Sequence, residues 1–276
     1  MLKLEVAILD VSQGDFVYAV TPTGENLVID VGTGEVVPSI FLKNISEISE
    51  LQISHPHADH FDDIIDISKK TIKSFRCSSL VKFDDKVIGR KKSDHVKIAA
   101  LRELKGRIKA DNDAVKPSRG FSHTVYFAEN IDYKDPNTAS AITVLVYKGV
   151  KLLFGGDLPA SGWENLLKKS DFVSAVSGTN VFKVPYHGRP EGCCQELFDL
   201  KEFKPLLCII SDKSLEKDDQ STVATDWYSK RTSGCRIVGY DEPRKVLSTR
   251  SDGSIFIKIN EKGTCWVYPN TRWRSD

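Results

Sequence analysis

Apolar and polar residues follow two different periods along this chain, and the switches between them mark its elements. Residues 2–9 alternate apolar and polar and then turn wholly apolar, as a half-buried strand entering a core does. Residues 16–20 and 27–31 repeat that pattern on either side of the turn signal Thr21-Pro22-Thr23-Gly24. The pattern then predicts a helix over 37–44, a strand over 51–54, a helix over 62–70 and a strand over 75–83. Ile98, Leu101, Leu104 and Ile108 recur at helical spacing, with basic residues between them. Farther on, 141–147 and 151–154 form a hairpin about Lys148-Gly149, followed by a helix over 162–169 and strands over 180–184, 206–211 and 236–239. Residues 254–259 and 264–268 make a closing hairpin around Glu261-Lys262-Gly263. No linker, repeat or low-complexity tract interrupts the series, so one α/β domain spanning 1–276 is expected.

Between the strand at 51–54 and the helix at 62–70 stands Ser54-His55-Pro56-His57-Ala58-Asp59-His60. Three of the six histidines in 276 residues fall within six positions, with an aspartate among them. Imidazole and carboxylate are the ligands that borderline metals such as Zn2+ prefer, and a strand-to-helix turn lets such side chains converge on one point.

The pattern H-x-H-x-D-H resembles the signature of the metallo-β-lactamase fold superfamily, and three further stretches, in the family's order, extend the resemblance over residues 1 to about 260. Leu9-Asp10-Val11-Ser12-Gln13-Gly14-Asp15 with Leu27-Val28-Ile29-Asp30-Val31-Gly32 resembles the opening of the hydrolase domain of ComEC-like DNA-uptake proteins. Leu153-Phe154-Gly155-Gly156-Asp157-Leu158 is similar to the family's strand ending in a metal-bridging aspartate, and Val184-Pro185-Tyr186-His187-Gly188 to its late histidine motif. The resemblance implies a four-layer αββα sandwich holding one or two divalent metal ions, Zn2+ or Mn2+. His55 and His57 would hold the first ion, Asp59, His60 and His187 the second, and Asp157 would bridge them. Such a pair shares a water whose pKa falls towards about 7, so hydroxide is available for hydrolysis at neutral pH, and Asp59, His60 and Asp157 become the catalytic core. Asp30 would orient the ligand loop from behind. Many family members carry a further histidine at the position where this chain has Asn137; ComEC-like members resemble this chain in having Asn there. An amide oxygen suits Mn2+ better than Zn2+ and makes the first position the weaker one, with Asn137 a weak ligand or substrate contact. His123 is a candidate substitute ligand; His95 reads as a surface histidine.

Composition adds a possible substrate class. The whole chain carries a net charge of +1, which says nothing about partners, yet residues 82–119 hold twelve Lys or Arg against six Asp or Glu. A basic insertion beside a hydrolytic metal site suits a polyanion, and Arg90, Lys91 and Lys92 are its densest run. Arg189 directly follows His187, and Arg250 lies in Ser248-Thr249-Arg250-Ser251-Asp252-Gly253, which is similar to a ComEC-like segment returning to the site; both are candidate phosphate contacts. The reading is therefore a metal-dependent phosphodiesterase or nuclease acting on DNA or nucleotides. A small-molecule hydrolase of lactone or thioester type, and a subunit regulated by a protein partner, stay open. The six cysteines show no C-x-x-C pair and no leader pattern opens the chain, so reduced thiols and a cytoplasmic location are expected. No apolar run approaches the roughly 18 residues that cross a bilayer, so no membrane partner is expected.

Overall fold

The period-two runs build two sheets that face each other across a shared apolar layer. The computed structural model describes residues 2–78, 92–129, 135–213 and 223–269. In chain order the first half runs β1 (Lys3–Ile8), β2 (Val17–Val20), β3 (Asn26–Ile29), α1 (Pro38–Phe41), β4 (Glu47–Gln52), α2 (Ala58–Phe61), α3 (Ile64–Ile67), β5 (Thr71–Arg76), α4 (Lys92–Arg107) and β6 (Phe121–Phe127). The second half runs β7 (Ala141–Tyr147), β8 (Val150–Phe154), α5 (Ala160–Leu166), α6 (Ser170–Val176), β9 (Val181–Lys183), α7 (Gln195–Asp199), β10 (Leu207–Ile210), α8 (Thr225–Arg231), β11 (Val246–Ser248), α9 (Thr249–Asp252), β12 (Ile255–Asn260) and β13 (Cys265–Pro269). One sheet has the order β13-β12-β1-β2-β3-β4-β5 and the other β11-β10-β9-β8-β7-β6.

Strand alternation assigns each side chain to a layer. Leu4, Val6 and Ile8 of β1 join Leu145, Leu152, Phe154 and Ile209 between the sheets, while Ala7 turns outward. On the outer face of the first sheet Val28 and Leu51 pack against Phe61, Ile64, Ile98, Leu101 and Leu104. On the outer face of the second, Val144, Leu153 and Phe182 pack against Trp163, Phe172, Leu197 and Tyr228. Three apolar layers between four layers of backbone are the αββα sandwich. Helix α4 thus supplies the core face that its spacing predicted, with Ile98, Leu101 and Leu104 fully buried.

Several boundaries differ from the sequence reading. The helix expected over 62–70 is shortened to α3, and a separate turn, α2, precedes it over Asp59 and His60; between them Asp63 turns its carboxylate to accept the Ser39 N–H at 2.5 Å. The strand expected over 75–83 begins earlier and ends at Arg76; its stretch from 79 to 83 lies outside the described residues, as do Arg90 and Lys91. No strand forms at 236–239. Gly234 and Gly239, at φ 93° and 90°, bend that segment away, and only Cys235 makes a bridge, to Arg244. The sheet edge is taken instead by Val246–Ser248, which pairs in parallel with β10. Strand β6 and helix α6 were not foreseen.

Strands β3, β4 and β5 run parallel, as do β8, β9, β10 and β11. Parallel strands deliver their following loops to the same edge, the usual place for a ligand site in such sheets. Asp30, the histidine segment, Asp157, His187, Asp212 and Arg250 all follow the carboxyl ends of these strands.

Candidate metal centre

The loop after β4 is pinned before it presents any ligand. Asp30, in the left-handed region at φ 59°, is fully buried; its Oδ1 accepts the Ser54 N–H at 2.7 Å and its Oδ2 the Ser54 hydroxyl at 2.7 Å. Asp30 Oδ2 also lies 2.8 Å from His60 Nδ1, and the His60 carbonyl accepts the Val31 N–H. Beneath the loop the chain has no room for a side chain. A Cβ on Gly14 would stand 2.1 Å from the Asp59 carbonyl oxygen, and one on Gly32 would stand 2.3 Å from that same atom. The glycines of the opening motif and of Asp30-Val31-Gly32 therefore let the ligand loop seat.

His60 Nδ1 is held by Asp30, so Nε2 faces inward, 3.5 Å from Asp157 Oδ2. His187 Nδ1 lies 3.2 Å from the Ser211 carbonyl oxygen, so its Nε2 also faces inward, 3.1 Å from Asp157 Oδ2 and 3.6 Å from Asp59 Oδ2. His55 Nε2 lies 3.9 Å from the same Asp157 oxygen and 3.0 Å from His57 Nδ1. Ser140 Oγ accepts the Asp157 N–H at 3.1 Å and fixes that loop. Everything here is buried except on the side of Asp59, whose side chain keeps 33% of its exposure, and of His57; that side is the mouth.

The electrostatics are those of a carboxylate-rich hole. Burial alone lowers the His60 and His187 imidazoles, but Asp157 and its neighbours override it, raising His60 well above the usual range and His187 to about 9. Burial pushes Asp157 up and the two imidazolium charges more than reverse this, holding it well below the ordinary carboxylate range. His55, with desolvation foremost and His60 beside it, is lowered and stays neutral. Without another cation, the carboxylates draw protons onto two histidines.

The family model of the metallo-beta-lactamase superfamily matches residues 14–211. The chain belongs to that superfamily. Among solved structures, the metallo-beta-lactamase fold protein YhfI from Bacillus subtilis is similar at 11% identity and TM-score 0.55, over 97% of this chain and 100% of that one. A metal-dependent hydrolase from Parabacteroides distasonis matches at 12% identity and TM-score 0.46, over 89% of this chain and 93% of its own. A diphosphatase of the PhnP family matches at 9% identity and TM-score 0.45, over 93% of this chain and 97% of its own. No curated protein matches the chain.

Superfamily membership implies divalent metal ions, and the residues fit them. His55, His60 and Asp157 bring ligand atoms within 4.8 Å of one another, as do Asp59, His60 and His187. His60 Nε2, His187 Nε2 and Asp157 Oδ1 are buried with no hydrogen-bond partner of good geometry among the described residues, which is costly unless something binds them. His60 falls in both groups, but with Nδ1 held by Asp30 its single inward nitrogen serves one ion; His57 rests against His55 at the mouth. A third grouping, Asp15, Asp30 and His60, already has a cation, since the buried Lys183 ammonium pairs with Asp15.

Asn137 lies at the site's border. Asp135 Oδ1 accepts its N–H at 3.1 Å, its Nδ2 donates to the Tyr186 hydroxyl at 3.0 Å, and its Oδ1 is buried without a partner among the described residues. His123 is not brought to the metal centre. Strand β6 sends it between the sheets, where Nε2 lies 3.4 Å from Glu50 Oε1 beside a cleft of about 310 Å3 lined also by Arg76, Asn112 and Thr124. Arg250 is placed beside the centre, 3.1 Å from Asp212, which also feels the charges of His187 and Arg189. Lys92 opens helix α4, and Lys97 on that helix pairs with Asp62, two residues past His60. The adjacent Cys193 and Cys194 take no part; burial pushes the Cys194 thiol up to about 12.

Sequence reasoning missed Ser54, Ser140, Ser211, Asp212, Tyr186 and the Asp15–Lys183 pair. Only the last left a signal: Lys183 stands in an otherwise apolar strand, Val181-Phe182-Lys183-Val184, where a charge needs a buried partner.

Proposed function

We propose that this protein is a metal-dependent hydrolase of phosphate esters, of the ComEC-like branch, with a phosphodiester in DNA or a nucleotide as its substrate. The observation that carries the reading is the pair of arginines beside the ligand histidine. Arg250 comes from the segment after β11 and is steadied by Asp212; Arg189 follows His187 by two positions. A guanidinium matches the oxygens of a phosphoryl group in geometry as well as charge, and two of them favour an anion over a neutral lactone or thioester. Lys97, within the basic run of 82–119, pairs with Asp62 two residues past His60, which supports a polyanionic strand as the partner of that run.

His55 and His57 would hold one ion and Asp59, His60 and His187 the other, with Asp157 within reach of both; the one inward lone pair of His60 serves a single ion. Bound there, divalent metal supplies Lewis-acid activation of a phosphoryl oxygen and of water. The chain's own residues do the rest. Asp30, Ser54 and the Ser211 carbonyl fix which imidazole nitrogen faces inward, and Arg189 and Arg250 bind and orient the anion at the open side. The test is metal content of purified protein, paired with hydrolysis of single- and double-stranded DNA, a chromogenic phosphodiester, a lactone and a thioester in Mn2+, Mg2+ and Zn2+. Metal-dependent cleavage of a phosphodiester that disappears in Asp59→Ala and His60→Ala is the expected result. Turnover of the lactone or thioester alone would sink the phosphate reading.

A further inference from the structure

We propose that the phenolic hydroxyl of Tyr186 is a catalytic hydrogen-bond donor, placed to meet a non-bridging oxygen of the substrate's phosphoryl group as negative charge builds on it; this rests on the phosphate-ester reading above. The backbone first marks the residue. Tyr186, His187 and Gly188 follow one another in the left-handed region, at φ 57°, 50° and 72°. A non-glycine residue is strained there, and such strain persists where the surroundings insist on it. His187 accounts for one of the two: it turns its ring onto Asp157. The other sets Tyr186.

The side chain then shows what the conformation achieves. The hydroxyl oxygen accepts the Asn137 Nδ2 hydrogen at 3.0 Å. That bond uses a lone pair and turns the hydroxyl hydrogen away from Asn137, and no acceptor for that hydrogen exists among the described residues. The 3-10 turn Pro136–Ala139, capped by Asp135, supplies the anchor. The residue borders the metal centre: its N–H donates to the Gly156 carbonyl, one position before Asp157, and Ser140, at the end of the Asn137 turn, accepts the Asp157 N–H, so the charge of Asp157 reaches the phenol. His187 extends towards Asp59, while the Tyr186 hydroxyl is held towards Asn137, so consecutive residues reach different parts of one centre. A half-buried phenol with one lone pair anchored and its hydrogen free is a pre-oriented donor. Its bond to the substrate strengthens as the phosphoryl oxygen gains charge and relaxes when the product leaves, with no proton transferred.

Tyr186→Phe removes the hydroxyl and little else. Three quantities test the role: kcat and KM on a small chromogenic phosphodiester, affinity of the metal-loaded protein for inorganic phosphate by calorimetry, and metal content by elemental analysis. The expected result is a kcat lower by about a hundredfold or more, phosphate binding weaker by about tenfold, and unchanged metal content. Wild-type kcat and phosphate affinity in Tyr186→Phe would overturn the proposal. So would loss of metal, since the hydroxyl would then serve the ligands through Asn137. If Tyr186→Phe does not fold, Asn137→Ala decides: a kcat about tenfold lower with metal retained supports an anchored donor, and an unchanged kcat or lost metal overturns it. Failure of the phosphate reading looks different. A wild-type protein that opens a lactone or thioester and cleaves no phosphodiester refutes that reading, and Tyr186→Phe is then judged on the ester it does hydrolyse, equal rates overturning the donor role and slower turnover with full metal supporting it.

Discussion

Asp30 Oδ2 and His60 Nδ1 lie 2.8 Å apart, both side chains fully buried, and this contact decides which nitrogen of His60 reaches the metal centre. The same carboxylate accepts two hydrogen bonds from Ser54. Asp30→Ala therefore frees the imidazole to turn and leaves buried donors unmet. Removing such a supporting group typically costs about 10–100-fold in metal affinity. Calorimetric titration of the metal-stripped variant with Zn2+ is expected to show a loss of that size. Affinity equal to wild type would mean that packing alone orients His60.

Lys183 and Asp15 form an ion pair in the layer between the sheets, with both side chains almost wholly removed from water. Breaking such a pair from one side strands a charge, at about 3–5 kcal/mol, whereas replacing both partners by apolar groups is often near neutral. Lys183→Met is expected to lower unfolding free energy in urea by about that amount. Adding Asp15→Leu is expected to recover most of it. The Asp15 carbonyl that accepts the Gly32 N–H belongs to the backbone and is kept in the double variant, so the chain beneath the ligand loop is expected to stay in place.

Glu50 gives the fold a specific sensitivity to acid. Burial pushes its carboxyl up, but hydrogen bonds from His123, Arg76 and Gln52 outweigh this and bring it down to about 2 from 4.5. A carboxyl depressed in the folded state contributes stability that is fully present above its unfolded value and is lost as pH falls through the folded one. The contribution, about 3 kcal/mol, therefore disappears between about pH 4.5 and 2. Urea midpoints measured at pH 5 and pH 3 are expected to separate less in Glu50→Gln than in wild type. Parallel losses in the two proteins would remove Glu50 as the cause.

The basic stretch makes a prediction about salt. If residues 82–119 grip a nucleic-acid backbone, log affinity falls with log salt at about −0.9 per duplex phosphate contact or −0.7 on a single strand. Replacing Arg90, Lys91 and Lys92 together by Glu is expected to weaken DNA binding and flatten that slope, while hydrolysis of a small phosphodiester barely changes. Fluorescence anisotropy over a salt series reads both quantities. A variant that binds and cuts DNA as wild type does reduces the stretch to a solvated face.

The centre was legible where its ligands lie close in sequence. His55, His57, Asp59 and His60 share one turn, and Asp157 and His187 carry local signatures, so these residues could be named and are found together. What the sequence hid is contact between distant segments. Ser211 reaches His187 through a backbone carbonyl, which every residue type possesses, and Tyr186 meets Asn137 across 49 positions. Element boundaries failed for a similar reason. Val246 and Leu247 are unremarkable as a local pattern and form a strand because β10 offers an open edge in parallel. The mixed face of β6 hid a strand whose His123 reaches Glu50 on the opposite sheet.

Gly14 and Gly32 approach the Asp59 carbonyl oxygen from two separate stretches of chain, each too near for a β-carbon. Neither can vary alone, and changing both only doubles the collision, so no compensating pair exists between them. In a saturation library sorted for activity, both positions should return glycine alone, while the exposed Gly24, with open space around its missing β-carbon, should admit asparagine and aspartate despite its φ of 93°. The two glycines thus act as a ratchet on the evolution of this loop: ligand chemistry around Asp59 can drift, but the height at which the loop sits cannot.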